Sequence, residues 1–140
     1  MKVVFLDFDG VLNTENSYSS TGDFSKAACE NLHKFLNSMP GLKIVVSSSW
    51  RHKGLTKVKE ILEKNGFAPK RVIDITDETE RTDRGHHIER YVQDHKDIEN
   101  FVILDDKADM DKILAHLVQI NPVVGFTTKD AEKARKILKN

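Results

Sequence analysis

The chain has 140 residues, the size of one globular domain and long enough to bury about two thirds of the surface it exposes when unfolded, so residues 1–140 are read as a single domain that needs no disulfide or structural metal. Hydrophobic residues make up 39% and charged residues 31%, with 7 Gly and 3 Pro, which excludes disordered, collagen-like and low-complexity chains. The 22 Lys+Arg and 22 Asp+Glu cancel, which excludes a whole-molecule attraction to nucleic acid or anionic lipid and requires any such partner to be recognised locally. Apolar runs such as Val3–Leu6 are too short to span a bilayer, and Asp7 and Asp9 interrupt the first before it could serve as a signal-peptide core. A cytoplasmic protein with no membrane partner is expected. Cys29 is the one cysteine, which rules out an intramolecular disulfide and a cysteine zinc site, and its apolar neighbours make it a small core residue.

In chain order, apolar runs alternate with stretches of helical period. Val3–Leu6 reads as a buried strand and Ser25–Ser38 as a helix with Ala28, Leu32, Phe35 and Leu36 on one face. Lys43–Val46 is a second strand, and Thr56–Asn65 a helix stopped by Gly66. Arg71–Ile75 is a third strand, followed by a helix over Gly85–His95 with the stripe Ile88, Tyr91 and Val92. Phe101–Leu104 is a fourth strand. Asp109 is expected to cap a short helix carrying Ile113, Leu114 and Leu117, and Val118–Val124 is a weaker strand broken by Pro122. Thr128 is expected to cap a last helix carrying Ala131, Ala134, Ile137 and Leu138. Continuously apolar strands alternating with helices imply a doubly wound, Rossmann-like α/β fold, with five parallel strands covered on both faces.

Ligands of such folds gather beyond the carboxyl ends of the strands. There the first strand runs into Asp7-Phe8-Asp9-Gly10, the second into Ser47-Ser48-Ser49-Trp50-Arg51 and the fourth into Asp105-Asp106. Four carboxylates converging at low dielectric repel one another unless a cation joins them, and magnesium, which takes oxygen ligands and completes its shell with phosphate, is the natural one. Asp7, ending its strand, is the candidate nucleophile. Asp9, two residues on and on the same side if the strand ran straight, is the candidate proton carrier. The Ser47 hydroxyl and the Ser48 backbone N–H are candidate phosphate donors. Adjacent residues point to opposite sides, so one of Asp105 and Asp106 would bind metal while the other orients a ligand. Taken singly, each of these is an ordinary polar loop residue; it is their combination that carries the reading.

Leu6-Asp7-Phe8-Asp9-Gly10-Val11-Leu12, Val45-Val46-Ser47, Arg84-Gly85-His86-His87-Ile88 and Ile103-Leu104-Asp105-Asp106 resemble, in order and spacing, the four motifs of the haloacid dehalogenase-like superfamily of phosphohydrolases. The likeness runs from Lys2 to about Asp111, with arginine where that family more often has lysine. It implies an aspartyl-phosphate at Asp7, acid-base work by Asp9 in the phosphatase pattern, and magnesium held by Asp7, by one of Asp105 and Asp106 with Asp106 preferred, and by the Asp9 carbonyl. Arg84 is the basic phosphate ligand on this pattern, with Lys70 and Arg81 as substitutes. Asp-Gly-Val-Leu-Asn, Ser-Ser-Ser-Trp-Arg and the paired Asp-Asp are also similar to the small domains of RNA-repair proteins in that superfamily and, more loosely, to polynucleotide-end phosphatases.

The gap Asn13–Phe24 holds about a dozen mostly polar residues, enough for a flap and too few for a cap domain. An open site of this kind suits a bulky phosphorylated substrate such as a nucleic-acid end or nucleotide. A small-metabolite phosphatase that borrows a partner as lid, and a non-catalytic or receiver-like phosphate-binding module, are the alternatives. Residues 51–71 carry Arg51, Lys53, Lys57, Lys59, Lys64, Lys70 and Arg71 against Glu60 and Glu63. The wet face of an amphipathic helix accounts for such charges, and attraction of a polyanion is the second reading. Trp50 and Tyr18 could stack on bases, although a Trp there more often packs beneath a site. His86 and His87 read as helix-surface residues.

Overall fold

The computed structural model describes residues 1–76 and 84–139. Five strands, β1 (Lys2–Leu6), β2 (Lys43–Val46), β3 (Val72–Ile75), β4 (Asn100–Asp105) and β5 (Leu117–Gln119), form one sheet in the order β3-β2-β1-β4-β5, and every neighbouring pair is parallel. Four helices, α1 (Lys26–Asn37), α2 (Leu55–Lys64), α3 (Arg84–Asp94) and α4 (Thr128–Lys139), cover it. This is the doubly wound α/β architecture expected from the sequence.

A parallel sheet buried on both faces needs apolar side chains at odd and even strand positions alike. In β1, Val4 and Leu6 pack with Leu32, Phe35, Leu62 and Leu138 of α1, α2 and α4, while Val3 and Phe5 pack with Ile88 and Tyr91 of α3. From β1 the chain winds outward through α1, β2, α2 and β3. Helix α3 then crosses the opposite face and delivers the chain to β4 on the other side of β1. That reversal opens a crevice beyond the carboxyl ends of β1 and β4. Among the described residues no helix is long and apolar enough to cross a membrane.

Several expected elements differ in detail. Asp109 caps no helix; the stretch after β4 is a 3-10 helix, Asp111–His116, preceded by buried Met110, with Leu114 exposed and Leu117 already in β5. The tight i→i+3 winding keeps Ile113 inward and turns Leu114 out. β5 has three residues because Pro122 offers no N–H and Asn121 Oδ1 accepts from Val123 N at 3.0 Å, closing a local turn that leaves Val123 and Val124 exposed. The last helix is capped by Thr127, not Thr128: Asp130 N donates to Thr127 Oγ1 at 3.2 Å while Thr127 N donates to Asp130 Oδ2 at 2.9 Å, a reciprocal pair. Arg71 precedes β3 and donates to the carbonyls of Met39 and Leu42 at 3.3 and 2.7 Å. His87 is buried in α3, not on its surface, because it lies one turn before Tyr91 on the inward face.

A Cβ at Gly85 would lie 2.8 Å from Met110 Cα and 2.9 Å from Asp109 O, so the start of α3 rests backbone against backbone on the stretch after β4. Gly85→Ala is expected to destabilise the fold by about 1–3 kcal/mol, read as a lower urea midpoint at unchanged m value.

Candidate active site

One residue past β1 and β2 the apolar pattern stops while the hydrogen-bond ladder continues. Asp7 N donates to Leu104 O at 3.1 Å, Ser47 N to Leu6 O at 3.0 Å and Thr76 N to Val46 O at 3.0 Å, while Asp105 ends β4. Register therefore sets Asp105, Asp7, Ser47 and Thr76 side by side across four strands. Alternation along each strand turns all four toward the face of Phe5, Val45 and Ile103, which is the α3 face. All four are buried.

Arg84, the first residue of α3, reaches into this row. Its Nη1 lies 2.7 Å from Asp105 Oδ2 and 3.0 Å from Asp7 Oδ2. Asp105 Oδ1 also accepts from Lys107 N at 3.0 Å, and Asp7 Oδ1 from Phe8 N at 2.8 Å. Asp106 carries a loose ion pair with Lys107 Nζ at 3.9 Å. Gly10, at φ 84°, is what lets it in: a Cβ there would lie 2.7 Å from Asp106 Cγ. One carboxylate oxygen from each of Asp7, Asp105 and Asp106 lies within 4.8 Å of the others. Asp105 and Asp106 thus converge on Asp7 rather than parting to opposite sides, because β4 ends at Asp105 and strict alternation ends with it.

Burial, and then the charge of Asp105, push the Asp7 carboxyl well above the usual carboxylate range, against the opposing pull of Arg84. Burial likewise raises Asp105, though Arg84 and the Lys107 N–H hold it back. Burial alone would weaken the Arg84 guanidinium as a base, and the charges of Asp7 and Asp105 outweigh it. One guanidinium therefore answers only part of the charge of three acids. An all-oxygen set with surplus negative charge fits a hard divalent cation. Beside it, among the described residues, the buried Ser47 Oγ has no hydrogen-bond partner, nor has Thr76 Oγ1. Such atoms are costly unless a ligand engages them.

Asp9 stands apart from this group. After Asp7 the chain curls round the Phe8 carbonyl, which accepts from the N–H groups of Val11, Leu12 and Asn13, so the strand does not run straight and Asp9 leaves the row. Its carboxylate accepts from Trp50 Nε1 at 3.0 and 3.1 Å and from Asn13 Nδ2 at 2.9 Å. Asn13 is fixed in turn by a two-way exchange with the Ser19 backbone at 2.9 and 3.0 Å. Trp50 is buried against Phe8 and Phe24, while Tyr18 is exposed.

Ser48 lies buried at the head of the 3-10 helix Ser49–Lys53, its Oγ accepting from Trp50 N at 3.2 Å. Arg51 donates to the carbonyls of Ser47 and Ser48 at 3.3 and 3.0 Å, so this cation braces the serine turn, as Arg71 braces the loop before β2. Lys70 precedes β3, at the amino end of the parallel strands, whereas the acids lie at their carboxyl ends. Arg81 lies outside the described residues. Cys29 is buried, which pushes its thiol up to about 12 and suits a packing role. Sequence reasoning did not single out Thr76 or Asn13 as site residues, and it left the Trp50–Asp9 contact unseen because 41 residues separate the two.

The family model describing the HAD domain in Swiss Army Knife RNA repair proteins matches residues 3–131. Neither a curated protein nor a solved structure matches the chain significantly.

A carboxyl raised on folding binds its proton more tightly in the native state, so its contribution favours folding at low pH and is lost as pH rises through the folded value. Without divalent cation, Asp7→Asn is therefore expected to melt at a higher temperature than the parent protein at neutral pH. The gap should narrow toward pH 4, as thermal unfolding in EDTA across that range will read.

Proposed function

This chain belongs to the HAD domains of Swiss Army Knife RNA repair proteins, a phosphohydrolase-type family, and from that premise we propose a magnesium-dependent phosphatase that cleaves phosphomonoesters through an aspartyl-phosphate at Asp7. The observation that supports it most is the meeting of Asp7, Asp105, Asp106 and Arg84 beside the Ser47 hydroxyl, which has no partner among the described residues.

Asp7 Oδ attacks phosphorus, forming a P–O bond as the bond to the leaving oxygen breaks, and Asp9 gives that oxygen its proton. Asp9, now a carboxylate, takes a proton from water as the water oxygen attacks phosphorus. The bond to Asp7 breaks, and inorganic phosphate leaves. Arg84 keeps the crowded Asp7 and Asp105 charges tolerable, and it offers further N–H groups to the transferring oxygens. The Ser47 hydroxyl and Ser48 N–H donate to phosphate oxygens in a site prearranged before substrate arrives. Magnesium, held by Asp7, Asp106 and the Asp9 carbonyl, would neutralise phosphate charge and polarise phosphorus. Asp106 suits it better than Asp105, whose two oxygens already serve Arg84 and Lys107.

The substrate we infer is a phosphorylated nucleic-acid end, in keeping with the RNA-repair proteins named by the family. The segment Glu15–Phe24, too short for a cap domain, favours something bulky. It is pinned to the fold by Glu15 N and Asn16 N on the carbonyls of Pro122 and Val123, by Asn65 on Phe24 and Gly22, and by Lys64 on Asp23 at 2.8 Å. A short strap so fastened forms no cap domain among the described residues.

Hydrolysis of p-nitrophenyl phosphate is expected to require added magnesium and to fall by about 10³-fold or more in Asp7→Asn; full activity in that variant refutes the reading. Across 3′- and 5′-phosphorylated oligonucleotides, nucleotides, sugar phosphates and phosphopeptides, kcat/KM should be highest for an oligonucleotide end. Its advantage over the mononucleotide should shrink as salt rises.

A further inference from the structure

The single tryptophan of the chain spends its one polar atom on Asp9. An indole N–H can only donate, and any nearby backbone carbonyl would satisfy it. Here Trp50 Nε1 instead meets both oxygens of one carboxylate, at 3.0 Å from Oδ1 and 3.1 Å from Oδ2. A donor shared by both oxygens fixes the plane of the carboxyl, whose χ2 is otherwise a broad, soft torsion.

The donor is itself held from three sides. Its ring sits edge-on to Phe8 and Phe24, at 6.1 and 5.7 Å between centroids. Its backbone N–H is tied to Ser48 Oγ, and Lys53 Nζ stands 5.5 Å from the ring centre. Asn13 Nδ2 grips Asp9 Oδ1 from the other side at 2.9 Å, with its own amide locked by Ser19. So the turn that presents Ser47 and Ser48 also presents, two residues later, the group that aims Asp9. We propose that Trp50 is a positioning residue for leaving-group protonation, its indole N–H setting the direction in which the Asp9 carboxyl meets the leaving oxygen. The inference rests on the reading of Asp9 as proton carrier given above.

The decisive measurement is dependence on the leaving group. A 2,4-dinitrophenolate departs without a proton, whereas a simple alkoxide needs one. Each loss is read in kcat/KM, which covers the steps up to departure of the leaving group and not the later water attack, in which Asp9 also serves; Asp9→Asn is expected to lose about 10²–10⁴-fold on an alkyl phosphate, and much less on the dinitrophenyl ester. Trp50→Phe keeps an aromatic ring and removes the N–H. It should lose about tenfold or more on the alkyl ester and stay within about twofold of the parent on the dinitrophenyl ester. An equal loss on both esters, or no loss on the alkyl ester, overturns the proposal while leaving the Asp9 reading intact. A flat response in Asp9→Asn removes that reading, and this inference with it.

A second measurement does not require Trp50→Phe to fold. Labelled with nitrogen-15, the protein gives one indole N–H signal. Asp9→Asn should shift it and speed its solvent exchange, and an unmoved signal overturns the contact.

Discussion

A guanidinium set between two buried carboxylates is the condition on which the rest of this site depends. Asp7 and Asp105 end adjacent strands of a parallel sheet, so the backbone ladder brings them together whatever their charges. Two such acids, both deep in the protein, would disfavour ionisation and strain the fold. Arg84 makes the arrangement tolerable, one residue before the point where α3 rests closely on the stretch after β4 through Gly85. Fold and chemistry meet in that contact: the chain reversal that sends α3 across the opposite face also lays its first residue over the crevice.

The compensation is incomplete, and on the proposed reading that is what makes the site reactive. Asp106 adds a third acid, admitted by the missing side chain of Gly10, and burial still holds Asp7 well above the ordinary carboxylate range. A cluster of this kind stores unfavourable electrostatic energy that a cation and a phosphate together relieve. Stability and function pull in opposite directions here, as is usual where catalytic groups are buried. The buried hydroxyls of Ser47 and Thr76, without a partner among the described residues, add to the cost in the same way at two adjoining strand ends.

Much of this was legible in the sequence because the strands are apolar at every position. Once Val3–Leu6 and Phe101–Leu104 are recognised as strands buried on both faces, parallel pairing places Asp7 beside Asp105 with little freedom left. What could not be read depends on where the chain stops being regular. Asp9 looks like a partner of Asp7 until the curl round the Phe8 carbonyl redirects it to Trp50. Thr76 looks like an ordinary strand end until the register irregularity between β2 and β3 lines it up with Ser47. The capping residue of α4 was displaced by one, because Thr127 and Thr128 offer the same hydroxyl and only the reciprocal bond with Asp130 distinguishes them.

The two acids assigned to catalysis are held on different principles, and that division follows from their tasks. Asp7 lies in line with the sheet, braced by its own ladder bond and by Arg84, as suits an atom that must stay still while phosphorus comes to it. The Asp9 carboxylate is held by side chains, from Trp50 on the serine turn and from Asn13. A proton carrier serves both halves of a reaction and has to meet a leaving oxygen first and a water later. Hydrogen bonds from two independently anchored side chains aim such a group while leaving its backbone outside the sheet. On the proposed mechanism the serine turn therefore links two requirements of a phosphatase, gripping the phosphate and directing the proton, within a stretch of four residues from Ser47 to Trp50.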